Sequence, residues 1–167
     1  YRRQSLIGEE SFSIISDRDS IVIRSLQGEN ERGRIRGVQA ELRLGIDLSP
    51  AYYRNRRIAG SDTTNVLEVV ASSQEVSIQE KDAGIVTATK WAAFFPVHSN
   101  IPAAMEMMLY HYYLERGLES LPTFPRGDVT LTFRQTDVVQ IGGWPTPLDR
   151  YVVEGINWGL RTVWLNA

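Results

Sequence analysis

The sequence predicts a mainly β (α+β) fold: a long curved antiparallel sheet, an open half-barrel, with one principal helix at about residues 101–117 packed on its concave face. Three observations carry this reading. Apolar and polar residues alternate through most segments of residues 1–95, the period of a strand that buries one face. Clusters rich in Gly, Asp, Asn, Ser and Pro separate these runs, as the turns of an antiparallel meander require. After Asn100 the pattern switches to helical spacing, and then strands return.

In Ile35–Leu44, Val38, Ala40, Leu42 and Leu44 share one face while Gln39, Glu41 and Arg43 share the other. Ser73–Gln79 sets Val76 and Ile78 against Glu75, Ser77 and Gln79. Thr64–Val70 is richer in β-branched residues, which suits a strand covered on both faces. Turns are expected at Ser16-Asp17-Arg18-Asp19, Gly28-Glu29-Asn30, Leu48-Ser49-Pro50, Gly60-Ser61-Asp62 and Lys81-Asp82-Ala83-Gly84. The adjacent carboxylates Glu9 and Glu10 point to opposite sides of a strand.

Pro102 suits the first turn of a helix, where its missing N–H has no intrahelical partner. Ile101, Met105, Met108, Leu109 and Tyr112 then recur at helical spacing, and Gly117 is a left-handed terminator. The run is about 16 residues, roughly 24 Å, long enough to lie across a curved sheet. Ala104, Met107 and Leu114 widen its apolar face, which predicts burial on more than one side. Leu121-Pro122-Thr123-Phe124-Pro125 reads as a Pro-punctuated linker. Beyond it Asp128–Arg134, Val138–Ile141, Tyr151–Ile156 and Thr162–Leu165 read as strands, with Gly142-Gly143 supplying a tight turn of positive φ.

The 167 residues suit one domain spanning 1–167, and the abrupt start at Tyr1 reads as that of a piece of a longer chain. A net charge of -2 gives no reason to expect a nucleic-acid partner. Arginines alternate at Arg32, Arg34, Arg36 and again at Arg54, Arg56, either as a solvated strand face or as an anion-binding stripe. Zero cysteines exclude disulfides, a thiol nucleophile and Cys-ligated zinc. No apolar run is long enough for a transmembrane helix.

Neither His98 nor His111 belongs to a His-x-His or His-Glu-x-x-His pattern, and no Gly-x-Ser-x-Gly elbow is present. Glu106 and His111, five apart, do not share a helix face. No catalytic residue, metal ligand or cofactor is therefore assigned. The positive signal is apolar: Met105, Met108, Leu109 and Tyr112, with Trp91 and Phe95, form a candidate lining for a hydrophobic ligand. The same residues would equally serve as the core of a sheet-and-helix domain.

One resemblance rests on Ile101–Leu109, Gly117, Leu121–Val129, Leu148–Gly159 and Val163-Trp164-Leu165, joined by Ile7–Phe12. Together these resemble the β-rich domain that precedes the catalytic barrel in some secreted bacterial amidohydrolases. The resemblance implies a non-catalytic, extracytoplasmic accessory domain whose partner is a downstream, metal-dependent catalytic domain of the same polypeptide. The strand–helix–strand order is also similar to the half-barrels of periplasmic lipoprotein carriers, which implies a lipid or other apolar ligand between sheet and helix.

Overall fold

The computed structural model describes residues 8–31, 34–98, 101–125, 127–156 and 159–166. Seven strands form an antiparallel meander in chain order: β1 (Gly8–Ser16), β2 (Ser20–Glu31), β3 (Arg34–Gly45), β4 (Pro50–Ala59), β5 (Asp62–Ala71), β6 (Glu75–Glu80) and β7 (Ile85–Thr89). A second sheet, ordered β12-β11-β10-β9-β8, contains β8 (Phe95–Pro96), β9 (Leu121–Phe124), β10 (Asp128–Ile141), β11 (Trp144–Glu154) and β12 (Arg161–Leu165). The single helix among the described residues, α1 (Ala103–Glu115), joins the two parts and packs on the concave face of the half-barrel. Strands of 12 residues in β2 and β3 accumulate enough right-handed twist to curl the sheet.

Alternation sorts the meander into two faces. Register places Ile23, Leu42, Tyr53, Leu67, Val69, Val76 and Ile78 together, and all are buried. Their neighbours Arg24, Glu41, Arg54, Glu68 and Gln79 fall on the opposite, outer face. The core continues without a break from these residues through α1 to Leu121, Val129, Leu131 and Val153 of the second sheet.

Most turns lie where the sequence places them. Gly60, Gly142 and Gly143 all have positive φ in hairpin turns, and Gly117 ends the helix at φ 57°. Four expectations need correction. Gly28-Glu29-Asn30 is no turn but the interior of β2, with Gly28 paired to Gly37. A Cβ on Gly37 would sit 2.6 Å from the Gln27 carbonyl oxygen, so a glycine there permits close strand approach, not reversal. β5 is covered on one face only: Leu67 and Val69 are buried while Val70 is 47% exposed. Residues 121–124 are a strand, parallel to β8 and antiparallel to β10, because Val97 donates to the Phe124 carbonyl and Thr123 to that of Gly127. Asp128–Arg134 and Val138–Ile141 are one strand, carried past an irregularity at Phe133/Gln135.

The helix also differs in its exposed stripe. Ala103, Met107, His111 and Glu115, spaced by four, face solvent, and Met107 is 63% exposed. Tyr110, Tyr113 and Glu106 are buried in its place. Burial on several sides therefore holds, through tyrosines and a carboxylate.

Candidate functional site

The six residues assigned to a hydrophobic ligand separate in the structure. Met105, Leu109, Tyr112 and Phe95 are at most 1% exposed and belong to the contiguous core. The Phe95 ring lies 5.9 Å from that of Tyr112, centroid to centroid, and the Tyr112 hydroxyl accepts a hydrogen bond from the Phe94 N–H. Met108 is half-buried against the same core. Trp91 is 46% exposed and stacks on Phe124 at 4.8 Å, outside the helix–sheet contact.

What the sequence does not reveal is how firmly polar groups fix this core. Pro102 caps α1 without a side-chain acceptor, and Glu10 of β1 performs that role from the sheet. Its Oε2 accepts from the Ala103 N–H at 2.8 Å; its Oε1 accepts from the Ala104 N–H at 3.1 Å and the Ser25 hydroxyl at 2.7 Å. A carboxylate at this end also complements the positive pole of the helix dipole. At the other end Arg116 donates to the Asp47 carboxylate and carbonyl, both at 3.1 Å, with its guanidinium 4.7 Å from the Tyr112 ring. Serine hydrogen bonds, burial notwithstanding, and the Arg116 charge hold Asp47 below the usual carboxylate range.

Along the helix, Glu106 Oε1 accepts from the Tyr110 hydroxyl and from Arg161 Nη1 of β12, the latter at 2.6 Å. Burial first, then the Glu106 hydrogen bond and charge, push the Tyr110 phenol far above its ordinary range. Under the meander the fully buried Tyr53 hydroxyl accepts from Asn55 Nδ2 at 3.2 Å, and burial raises that phenol to about 12. Among the described residues, no buried side-chain polar atom lacks a hydrogen-bond partner.

The histidines serve separate surroundings. His111 lies on the exposed helix stripe, 3.5 Å from the Glu115 carboxylate. His98 is half-buried beyond β8; burial and the Arg57 charge lower its pKa, and Glu80 opposes them. Among the described residues no three His, Asp or Glu side chains are grouped to hold a metal ion.

Cavities among the described residues lie elsewhere. One, of about 320 Å³, spans the outer face of β1–β4, and another, of about 150 Å³, lies between Ile78, Ala83, Val86 and Pro125, with Glu80 at its wall. None of the six ligand candidates lines either. Of the alternating arginines, Arg54 lines the first of these cavities; Arg32 lies outside the described residues, as do Tyr1, Ile7, Asn157, Trp158 and Ala167.

No family model, curated protein or solved structure matches this chain. No helix among the described residues is long and apolar enough to cross a membrane.

Proposed function

We propose that this chain is a non-catalytic accessory domain of an extracytoplasmic amidohydrolase-like protein, packing against or orienting a downstream catalytic domain. The observation that supports it is the filled concave face. Met105, Leu109, Tyr112 and Phe95 are spent on internal packing, with the helix tied at both ends by Glu10 and Asp47. A domain built this way offers its outside, not its inside, to a partner.

The outside has a suitable feature. Among the described residues β10 and β11 pair alone through Val138↔Pro147 to Ile141↔Trp144, beyond the last β11–β12 pair, Asp149↔Leu165. On this arm the cross-strand partners Ile141 and Trp144 share one face, 51% and 76% exposed. Apolar side chains presented together on a projecting ribbon suit contact with a second domain. The test is made in the complete gene product. Ile141→Ser with Trp144→Ser should loosen the contact, raising protease cleavage between the domains and lowering hydrolase activity. The isolated chain should unfold at an unchanged temperature. A gene product without a metal-binding barrel, or a double variant with unchanged cleavage and activity, sinks the reading.

A second reading, a module for lipid or another apolar ligand, draws on the cavity of about 150 Å³ beside Ile78 and Val86. That volume is about half the smallest usual ligand pocket, roughly 300 Å³. Native mass spectrometry showing a co-purified lipid, lost on Val86→Asp, would favour it over the accessory role.

A further inference from the structure

We propose that the outer face of β1–β4 holds a binding site for a small carboxylate-bearing molecule, anchored by Arg54. The site is separate from the concave face and from the β10–β11 arm. Strand register builds it. Ser13, Arg24, Glu41 and Arg54 lie side by side across four strands, and Ser11, Leu26 and Gln39 form the next row on the same face. Between the rows Phe12, Ser25 and Ala40 turn their side chains to the other face, so their backbone floors a groove. The cavity has a volume of about 320 Å³. That lies within the range of small-molecule sites.

Charge on this face is unbalanced. Arg24, Arg43, Arg54 and Arg56 stand against Glu9, Glu41 and Glu68 on the outer side of β1–β5, four positive groups to three negative. Both Glu41 oxygens are already engaged. Oε2 accepts from Arg24 Nε at 3.1 Å and Oε1 from Arg43 Nε at 2.8 Å. Those contacts position Arg24 at the groove wall. Glu68, the cross-strand neighbour of Arg54, accepts from the Tyr52 hydroxyl at 2.7 Å.

Arg54 is thus flanked by two carboxylates that are held by other donors. Among the described residues its guanidinium makes no ion pair; it lies 5.9 Å from the Tyr52 ring. A half-buried guanidinium fork with no carboxylate of its own is suited to receive one bidentately. The Ser11 and Ser13 hydroxyls and the Gln39 amide can donate to further oxygens, while Leu26, 48% exposed, gives an apolar wall. The composition therefore favours an organic acid with a short apolar part over a bare inorganic ion.

The probe is N-acetylleucine, titrated into the isotope-labelled protein and followed by amide chemical shifts. Saturable shifts should cluster at Ser11–Ser13, Arg24–Leu26 and Gln39–Glu41. Arg54→Gln should weaken binding at least tenfold. Arg56→Gln, on the same face and paired to Asn65 away from the cavity, should change it less than twofold. N-acetylleucinamide, which lacks the carboxylate, should not bind. Absence of saturable shifts, equal binding of the amide, or equal loss in both variants overturns the site. Inorganic phosphate binding as tightly, with the same dependence on Arg54, overturns the carboxylate assignment.

Discussion

At the scale of single residues, the interior is decided by a few polar atoms whose roles no local pattern announces. Glu106 is 7% exposed, yet its neighbours in sequence mark it as one more polar position on a helix. Its partner Arg161 is 55 residues away, and only the closed fold brings them together. Arg161→Leu strands a buried carboxylate with Tyr110 alone and should cost about 2 kcal/mol, the half-exposed guanidinium keeping the loss below that of a fully buried pair. Urea unfolding measures it, and an unchanged midpoint would show the pair to be passive. His98 sets a pH response. Its pKa is lowered from 6.5 in the folded protein, so the unfolded chain binds the extra proton first as pH falls. Its contribution is complete above the ordinary value and is lost below it. The unfolding temperature should drop as pH falls through the ordinary value of 6.5, and His98→Gln should flatten that drop. Glu41 and Asp47, lowered from 4.5 and 3.8, act only in more acid solution.

At the scale of elements, periodicity locates the strands and helix well because burial on one face is a local signal. Val38, Ala40, Leu42 and Leu44 show it within a single run. The errors fall where a local sign has a non-local meaning. Gly28 looks like a turn residue and instead opposes Gly37 inside a ladder; Pro122 and Pro125 look like linker residues, yet Pro122 lies within an inner strand and Pro125 directly follows it. The helix cap is the clearest case, since its acceptor is Glu10. Glu10→Ala removes three hydrogen bonds and should destabilise by about 1–2 kcal/mol, with hydrogen exchange at Ala103 and Ala104 accelerated first. Uniform acceleration across the protein would deny the cap a local role. Gly155 gives a harsher test. At φ 95°, a Cβ there would lie 1.8 Å from the Asp128 carbonyl oxygen. Gly155→Ala should therefore cost more than about 2 kcal/mol by forcing β10 and β11 apart, read as a lowered unfolding midpoint.

At the scale of the whole molecule, the half-barrel and its helix are legible because a long meander must curl and an apolar helix must cover something. The candidate site was less legible. Met, Tyr and Trp in one segment describe equally a wall around a cavity and the plug that fills it, and only three-dimensional packing separates the two. The outer-face groove shows the converse. Arg54 follows a pattern visible in sequence, but Ser11, Leu26 and Gln39 reach its neighbourhood through register alone.

Glu10 and Ala103, 93 residues apart, must meet before the helix is locked. A chain emerging from the ribosome exposes all seven meander strands before a single turn of α1 exists. For that interval Ile23, Leu42, Tyr53 and Val76 have no lid, and the nascent sheet is a sticky, concave trough. Synthesis in vivo thus places the risk of misassociation early and its remedy late. Moving the helix ahead of β1 by circular permutation should shorten the vulnerable period, with a larger soluble fraction on rapid expression as the readout.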